Sequence, residues 1–353
     1  MSRQRSTHFM TDTLHCTKAP TWRSPDVYFE REYGAMDAQA SGGTWYTFGS
    51  TQGFWSLPLI ERLHDNGAIT ATSPYGYSGL FIDPQLSDRQ VSEYWQQALN
   101  LLRERQVVSL FLRFHPLDTH SVERCRRLPG LAVVRSSVTY ATTICEPETM
   151  WWQIEGRART EVRKALKSGM TADVTRVESP SPLLEGSPFR LLYEETMRRV
   201  NASNKYFFDD HYFSSMASMK ESGVHLAQVR LRDETVASAV IIQHGERAHY
   251  HLSGSDRSAA RLGANSLMLW TVMRWCHQQQ LEVFHLGGGV TEGDGLARFK
   301  RSFADLELQY FTGRAVLARK QYQDLTRQRA EALAVSVDSL ESTGYFPAFL
   351  GAL

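Results

Sequence analysis

Val283-Phe284-His285-Leu286-Gly287-Gly288-Gly289-Val290-Thr291-Glu292-Gly293-Asp294-Gly295-Leu296-Ala297-Arg298-Phe299-Lys300-Arg301-Ser302-Phe303 is the stretch on which the fold turns. A short apolar strand, Val283 to Leu286, runs straight into three glycines. A polar loop follows, then a basic and apolar segment carrying Phe299-Lys300. Adjacent glycines allow positive φ and a close approach of backbone to a ligand, with no Cβ in the way. A strand end of this kind is a platform for an acyl or phosphate group as readily as a flexible loop. Lys300, fifteen residues after His285, can return over it as a fixed positive charge.

Working outward, the strand is preceded by an apolar helical segment, about Gly263 to Gln279. Before that come His225 to Arg232, a turn at Asp233-Glu234, Val236 to Gln243, and His249 to Leu252 with its exit Ser253-Gly254-Ser255. The first half repeats this order. Thr44 to Phe48, Phe54 to Leu63 and Ala68 to Thr72 read as strands, the last ending in Ser73-Pro74-Tyr75-Gly76-Tyr77-Ser78-Gly79. An amphipathic helix (Ser87 to Gln106) and a buried strand (Val107 to Phe114) ending in His115-Pro116 complete the unit. Short alternating or continuous apolar runs support strands, and the longer 3.6-period runs support helices. Two copies of one unit account for the chain better than two unrelated domains.

The expected fold class is therefore α/β (α+β), with each unit a mixed, largely antiparallel sheet flanked by helices. The expected boundaries are a loose tail over 1–24, a first unit over 25–147 and a second over 148–353. Glu148 to Met170 joins them and is expected to be helical, with Arg159, Arg163 and Lys167 spaced i, i+4, i+8 on one face. Trp151 and Trp152 in this linker read as core or interlobe packing. A tail helix is expected from Val316 to Ala334, followed by Tyr345-Phe346-Pro347-Ala348-Phe349 as a segment that docks on a core.

The 353 residues are 42% apolar and 22% charged, with net charge +1, which argues against a protein built to coat nucleic acid while leaving room for a local basic stripe; no DNA partner is expected. Cys16, Cys125, Cys145 and Cys276 form no CxxC pair and no disulfide framework, which favours a reducing cytoplasm. No run of about 18 apolar residues offers a membrane span. Met1 to about Pro20 lacks the apolar core of a secretory signal. No metal and no cofactor is expected.

Several separated tracts together resemble the Fem-like (FemAB-type) branch of the GNAT acyltransferase superfamily, over about residues 25–350. They are Thr72 to Gly79, Arg113-Phe114-His115-Pro116-Leu117, the basic run Arg159 to Gly169, Tyr250-His251-Leu252-Ser253-Gly254-Ser255, Leu286 to Phe303, and Tyr345 to Phe349. The resemblance implies two tandem GNAT-like units. It also implies transfer of an aminoacyl group from aminoacyl-tRNA to an amine of a cell-wall precursor or a peptide-like natural product. A Phe-Lys pair matching Phe299-Lys300 lies beside the transferred group in such enzymes, where the lysine is thought to stabilise developing charge. The long helical arm of some cell-wall members has no counterpart here.

CoA-using GNAT enzymes carry a Q/R-x-x-G-x-G/A loop whose backbone N–H groups hold the pyrophosphate. The equivalent here is Ala260-Arg261-Leu262-Gly263-Ala264-Asn265, with Ala260 and Asn265 at the diagnostic positions. This tilts the donor toward aminoacyl-tRNA. An acyl-CoA-dependent N-acyltransferase, or an inactive binding module on the same fold, are the competing expectations.

An aminoacyl ester is already activated, so catalysis needs a neutral amine, a carbonyl held in line and a stabilised oxyanion. Lys300 with Phe299 is the candidate for the last. Asp294, His285 and His115 are candidate bases by position at strand exits, with Glu292 beside them. Loop carboxylates also cap helices, as Asp294 would for the segment from Gly295, and strand histidines are usually satisfied by hydrogen bonds. Gly287, Gly288, Gly289, Tyr75, Tyr77, His115 and Tyr250 are the expected lining of the substrate cleft. Arg159 and Arg163 are candidates for phosphate contact, although a solvated helix face explains them equally well. No Ser-His-Asp or Cys-His context points to a covalent acyl-enzyme.

Overall fold

The computed structural model describes residues 14–18, 20 and 24–352. Residues 1–13 of the expected tail lie outside the described residues. Part of that tail, β1 (His15–Thr17), pairs antiparallel with β2 (Thr44–Gly49). The first half continues as α1 (Arg31–Ala40), β2, β3 (Trp55–Leu63), β4 (Ile69–Thr72), β5 (Phe81–Ile82), α2 (Asp88–Glu104), β6 (Val107–Arg113), α3 (Thr119–Cys125) and β7 (Ala132–Thr143). Then come α4 (Pro147–Gln153), α5 (Gly156–Lys167), β8 (Thr171–Arg176), α6 (Pro188–Arg199), α7 (Asp210–Ala217), β9 (Gly223–Leu231), β10 (Glu234–His244) and β11 (Arg247–Ser255). The chain ends with α8 (Arg257–Arg261), α9 (Ala264–Gln278), β12 (Val283–Gly288), α10 (Gly295–Arg301), β13 (Leu306–Val316), α11 (Arg319–Ala332) and α12 (Val337–Ser342).

The repeat is visible in the pairing. Strands β2-β3-β4 form an antiparallel meander, α2 crosses over, and β6 pairs parallel with β4. Strands β9-β10-β11 do the same, α9 crosses over, and β12 pairs parallel with β11. In each copy a short helix (α3, α10) leads to a last strand (β7, β13). These last strands are exchanged: β7 pairs with β12, and β13 pairs with β6 and β7. One continuous sheet results, in the order β1-β2-β3-β4-β6-β13-β7-β12-β11-β10-β9-β8.

Local chemistry explains the elements. A capping box, with Ser87 and Gln90 serving each other's backbone N–H, starts α2. Its buried face is Val91, Tyr94, Trp95, Ala98, Leu99 and Leu102, the spacing of an amphipathic helix. That face covers the first half of the sheet through Leu57, Leu110 and Leu112, while α5 and α9 cover the second. A third core joins the halves: Val27, Tyr28, Tyr33 and Met36 pack with Phe189, Phe213, Val240 and Ile242.

Three expectations are corrected. The linker is two helices, broken at Ile154-Glu155, where both residues are extended. Val316 closes strand β13, so the tail helix begins only at Arg319. Strands β7, β8 and β13 were not expected; β7 is rich in Ser and Thr and lacks a clear apolar alternation. The terminal segment docks on a small core, with Phe349 buried beside Val108 and Leu325.

Candidate active site

The parallel pairing of β11 with β12 spans only Arg247–Val283, Ala248–Phe284 and His249–His285. Beyond that pair the two strands part, and the expected platform begins. A bulge between His285 and Gly287 coincides with φ +73° at Gly287, a conformation that favours glycine. A Cβ added there would sit 3.3 Å from both the Lys300 Nζ and the Tyr77 hydroxyl, so these two groups converge on the bulge.

Lys300 reaches it from α10, whose start is fixed by Asp294. One Asp294 oxygen accepts from Ala297 N (2.7 Å); the other accepts from Val290 N (2.7 Å) and Thr291 N (2.9 Å). Asp294 is thus fully occupied as a helix cap and loop clamp, and these bonds outweigh burial and hold its carboxyl below the ordinary range. That occupancy disfavours its use as a base. Lys300 is 8% exposed and donates to the Gly288 carbonyl at 2.8 Å, with the Tyr250 ring 5.7 Å away. Two of its N–H donors have no protein acceptor among the described residues. Burial pushes its pKa down to about 8. Phe299 is half-buried against Phe303 (ring centroids 5.6 Å) and anchors α10 in the core.

Behind the platform lies a buried group of imidazoles. The His285, His249 and His115 rings are 5.7–6.3 Å apart, with Tyr77 4.8 Å from His285 and Tyr28 5.1 Å from His249. They come from β12, β11 and the exit of β6. Asp26, 1% exposed, ties them together: its carboxylate is 3.2 Å from His115 Nε2 and 3.1 Å from His249 Nε2. Arg247 Nη1 adds a contact at 3.4 Å. Although burial alone would raise the Asp26 pKa, His249 and His115 hold it well below the ordinary range. Burial pushes His249 and His285 down, so both are neutral, and His285 pairs with Thr139 Oγ1 at 3.1 Å.

Asp26, His115 and His249 offer ligand atoms within 4.8 Å of one another, close enough to consider a metal ion. The chemistry of the set argues otherwise. Leu117 N–H donates to His115 Nδ1 at 3.2 Å, which leaves the proton on Nε2, the atom facing Asp26. That nitrogen has no lone pair to offer. The arrangement fits a carboxylate hydrogen-bonded to His249 Nε2 at 3.2 Å, with His115 Nε2 3.2 Å from the same oxygen but outside hydrogen-bond geometry. A cavity of about 200 Å³, lined by Phe29, Phe81, His120 and Arg247, opens onto Asp26 and His115.

The structure therefore brings Lys300, Gly287, Gly288, Tyr77, Tyr250, His285 and His115 together. Gly289 packs against the Asp294 carboxylate. Tyr75 lies farther out, 41% exposed and 6.3 Å from the Tyr206 ring. Arg159 and Arg163 are not part of this centre. Arg159 donates to the carbonyls of Trp151, Trp152 and Ile154, closing the end of α4, and Arg163 lies over Trp151. Sequence reasoning missed Asp26 and His249. Asp26 follows the tail in an unremarkable Ser-Pro-Asp, and only the fold carries it to β11. His249 had a signal, since it starts the strand whose partner carries His285.

Residues 156–301, from the start of α5 to the end of α10, match a family model described as an acetyltransferase (GNAT) domain. No curated protein matches the chain. Among solved structures, FemX is similar with a TM-score of 0.64 at 13% identity, covering 84% of this chain and 94% of that one. A conserved protein of unknown function from Bacteroides thetaiotaomicron gives 0.57 at 8% identity, covering 84% and 95%. The C-terminal domain of a candidate lysylphosphatidylglycerol synthetase from Agrobacterium fabrum gives 0.55 at 13%, covering 80% and 92%. With the repeated pairing and exchanged last strands, these likenesses identify the fold as a tandem arrangement of GNAT-like units.

Proposed function

We propose that the protein is an aminoacyltransferase: it moves an aminoacyl group from aminoacyl-tRNA to an amine of a small peptide-like acceptor, forming an amide bond. The observation that carries this is the buried Lys300 ammonium, anchored on the Gly288 carbonyl at the parting of β11 and β12 with two N–H donors left over. A fixed cation in a water-poor site stabilises a tetrahedral oxyanion without reorganising, and removing such a donor typically costs roughly 3 kcal/mol. The ester supplies the activation. The attacking amine loses its proton to solvent or toward the neutral imidazoles behind the platform, with Asp26 as the group that orients them. Attack forms the C–N bond, collapse breaks the C–O bond, and the tRNA 3′ hydroxyl leaves with a proton.

The donor reading is supported at Gly263. A Cβ there would lie 2.2 Å from the Glu161 carbonyl oxygen, so the backbone of α5 lies against the loop that a CoA pyrophosphate would need. Lys164 also reaches across to the Arg261 carbonyl at 2.5 Å. A second reading, acyl-CoA-dependent N-acylation, is favoured by the acetyltransferase description of the matching family model and by the glycine turn before α9. In the first version the acceptor is a natural product or a cell-wall precursor, and the expected compartment is the cytoplasm. Among the described residues no helix is long and apolar enough to cross a membrane.

The test offers purified protein radiolabelled aminoacyl-tRNA pools and, separately, acyl-CoAs, each with a cell-extract acceptor. Loss of label from one charged tRNA is the expected result. Turnover with acyl-CoA alone replaces the first reading by the second, and turnover with neither favours a binding module.

A further inference from the structure

The two tryptophans of α4 have opposite environments. Trp151 packs edge-on against Trp270 (4.9 Å) and under Arg163, as core packing requires. Trp152 is 64% exposed. It is not loose: the Arg159 guanidinium lies 5.1 Å from its ring centroid and is itself pinned by three carbonyls at the end of α4. The result is a preoriented indole on the surface, with a cation held over it.

The charges around it are mixed: Glu146, Glu148 and Glu155 are exposed at α4 and its ends, while α5 is basic. Helix α5 carries Arg157, Arg159, Arg163, Lys164 and Lys167 against one acid, Glu161, which Lys164 neutralises at 3.7 Å. Arg157, Arg163 and Lys167 have no carboxylate partner among the described residues. Helix α10 carries Arg298, Lys300 and Arg301 behind its Asp294 cap, with Arg301 4.0 Å from Glu307. The two helices are joined where Glu155 N donates to the Ser302 carbonyl at 2.9 Å, two residues beyond Lys300. A stacking platform and cations without carboxylate partners thus lie one backbone hydrogen bond from the helix that supplies the cation of the reaction centre. Single-stranded nucleic acid is held by this pairing of aromatic faces with backbone-tracking charge.

We propose that the α4–α5 surface, continued by the exposed side of α10, binds the unpaired 3′ end of an RNA donor, with one base stacked on Trp152. This rests on the aminoacyl-tRNA reading above and adds where and how the donor is held. Base stacking reads no sequence, so the surface recognises an unpaired end, not a particular tRNA body.

Fluorescence anisotropy with a deacylated RNA hairpin bearing a four-nucleotide 3′ overhang, and with the same hairpin blunt-ended, tests this. The overhang is expected to raise affinity by about 10-fold or more, and Trp152→Ala to remove that gain while Trp152→Phe keeps most of it. Arg157→Ala with Lys167→Ala should weaken both RNAs and flatten the salt dependence by roughly one to two units of slope. Trp152 is exposed, so thermal unfolding of its variants should be unchanged, which separates lost binding from lost fold. If the overhang binds tighter but Trp152→Ala is indifferent, the donor reading stands and this surface is not its site. Equal binding of blunt and overhang RNA also overturns the proposal. If wild type binds neither RNA, the donor reading itself falls.

Discussion

Lys300 holds two opposed properties. A drop in its pKa from 10.5 to about 8 corresponds to roughly 3 kcal/mol spent on keeping an ammonium buried. The sign follows from linkage: below pH 8 the folded and unfolded chains are both protonated and the full penalty applies. Between pH 8 and 10.5 the folded lysine is neutral while the unfolded one still binds a proton, and the penalty fades. Lys300→Met should therefore stabilise the fold at pH 7, by on the order of 1–3 kcal/mol in urea unfolding, while lowering kcat by about 10²-fold or more. Transfer by the wild type should fall as pH rises through about 8, where the cation is lost. A rate that climbs through that pH would instead mark Lys300 as a base. For Asp294, an Asn side chain could cap Ala297 N with its one carbonyl oxygen but would turn an NH2 toward the Val290 and Thr291 N–H groups. Asp294→Asn and Asp294→Ala should therefore both lose about 1 kcal/mol of stability along with loop order, while the pH profile of the residual activity keeps its shape. Loss of an acid limb from that profile would restore Asp294 as the base.

At the scale of elements, the strands and crossover helices of both halves were legible because each buries one face and shows it as period or run. The glycine tract was legible for a different reason: Gly287 at φ +73° is a position where the backbone demands the residue type. What could not be read was set by distant partners. Strand β7 earns its place between β12 and β13 through ladder bonds, and its Ser and Thr residues carry little apolar signal. The break at Ile154-Glu155 is held from outside, by the Ser302 carbonyl and by Arg159. Asp26 belongs to the site only because the third core folds the start of the chain over β11. Gly263 gives the sharpest element-level prediction. At φ +94°, with the Glu161 carbonyl 2.2 Å from any Cβ, Gly263→Ala must push α5 off α9 and should cost several kcal/mol in a thermal melt. A neutral result would mean that α5 does not rest on that loop, and the argument against a CoA pyrophosphate would go with it.

For the molecule as a whole, buried neutral imidazoles set the acid limit. Burial lowers His249 and His285, and pushes His251, whose Nε2 faces the Tyr212 hydroxyl at 3.1 Å, down to about 3. On unfolding, each regains an ordinary pKa near 6.5 and takes up a proton, so stability falls as pH drops below about 6.5 by up to about 1.4 kcal/mol per pH unit for each. Urea midpoints between pH 7 and 4.5 should show this slope, and His251→Gln should reduce it by about one proton. An unchanged slope would mean that His251 is already charged in the fold.

The exchange of β7 and β13 has a consequence for descent as well as for shape. In a duplicated pair whose last strands stayed at home, either copy could drift, shrink or be lost while the other survived. Here each copy completes its sheet with a strand encoded by the other, so a deletion in one leaves an open edge in both. The pair is inherited as one object, and a half-gene should yield no folded half-protein. Coexpressed fragments cut between Cys145 and Pro147 should instead find each other and rebuild the sheet.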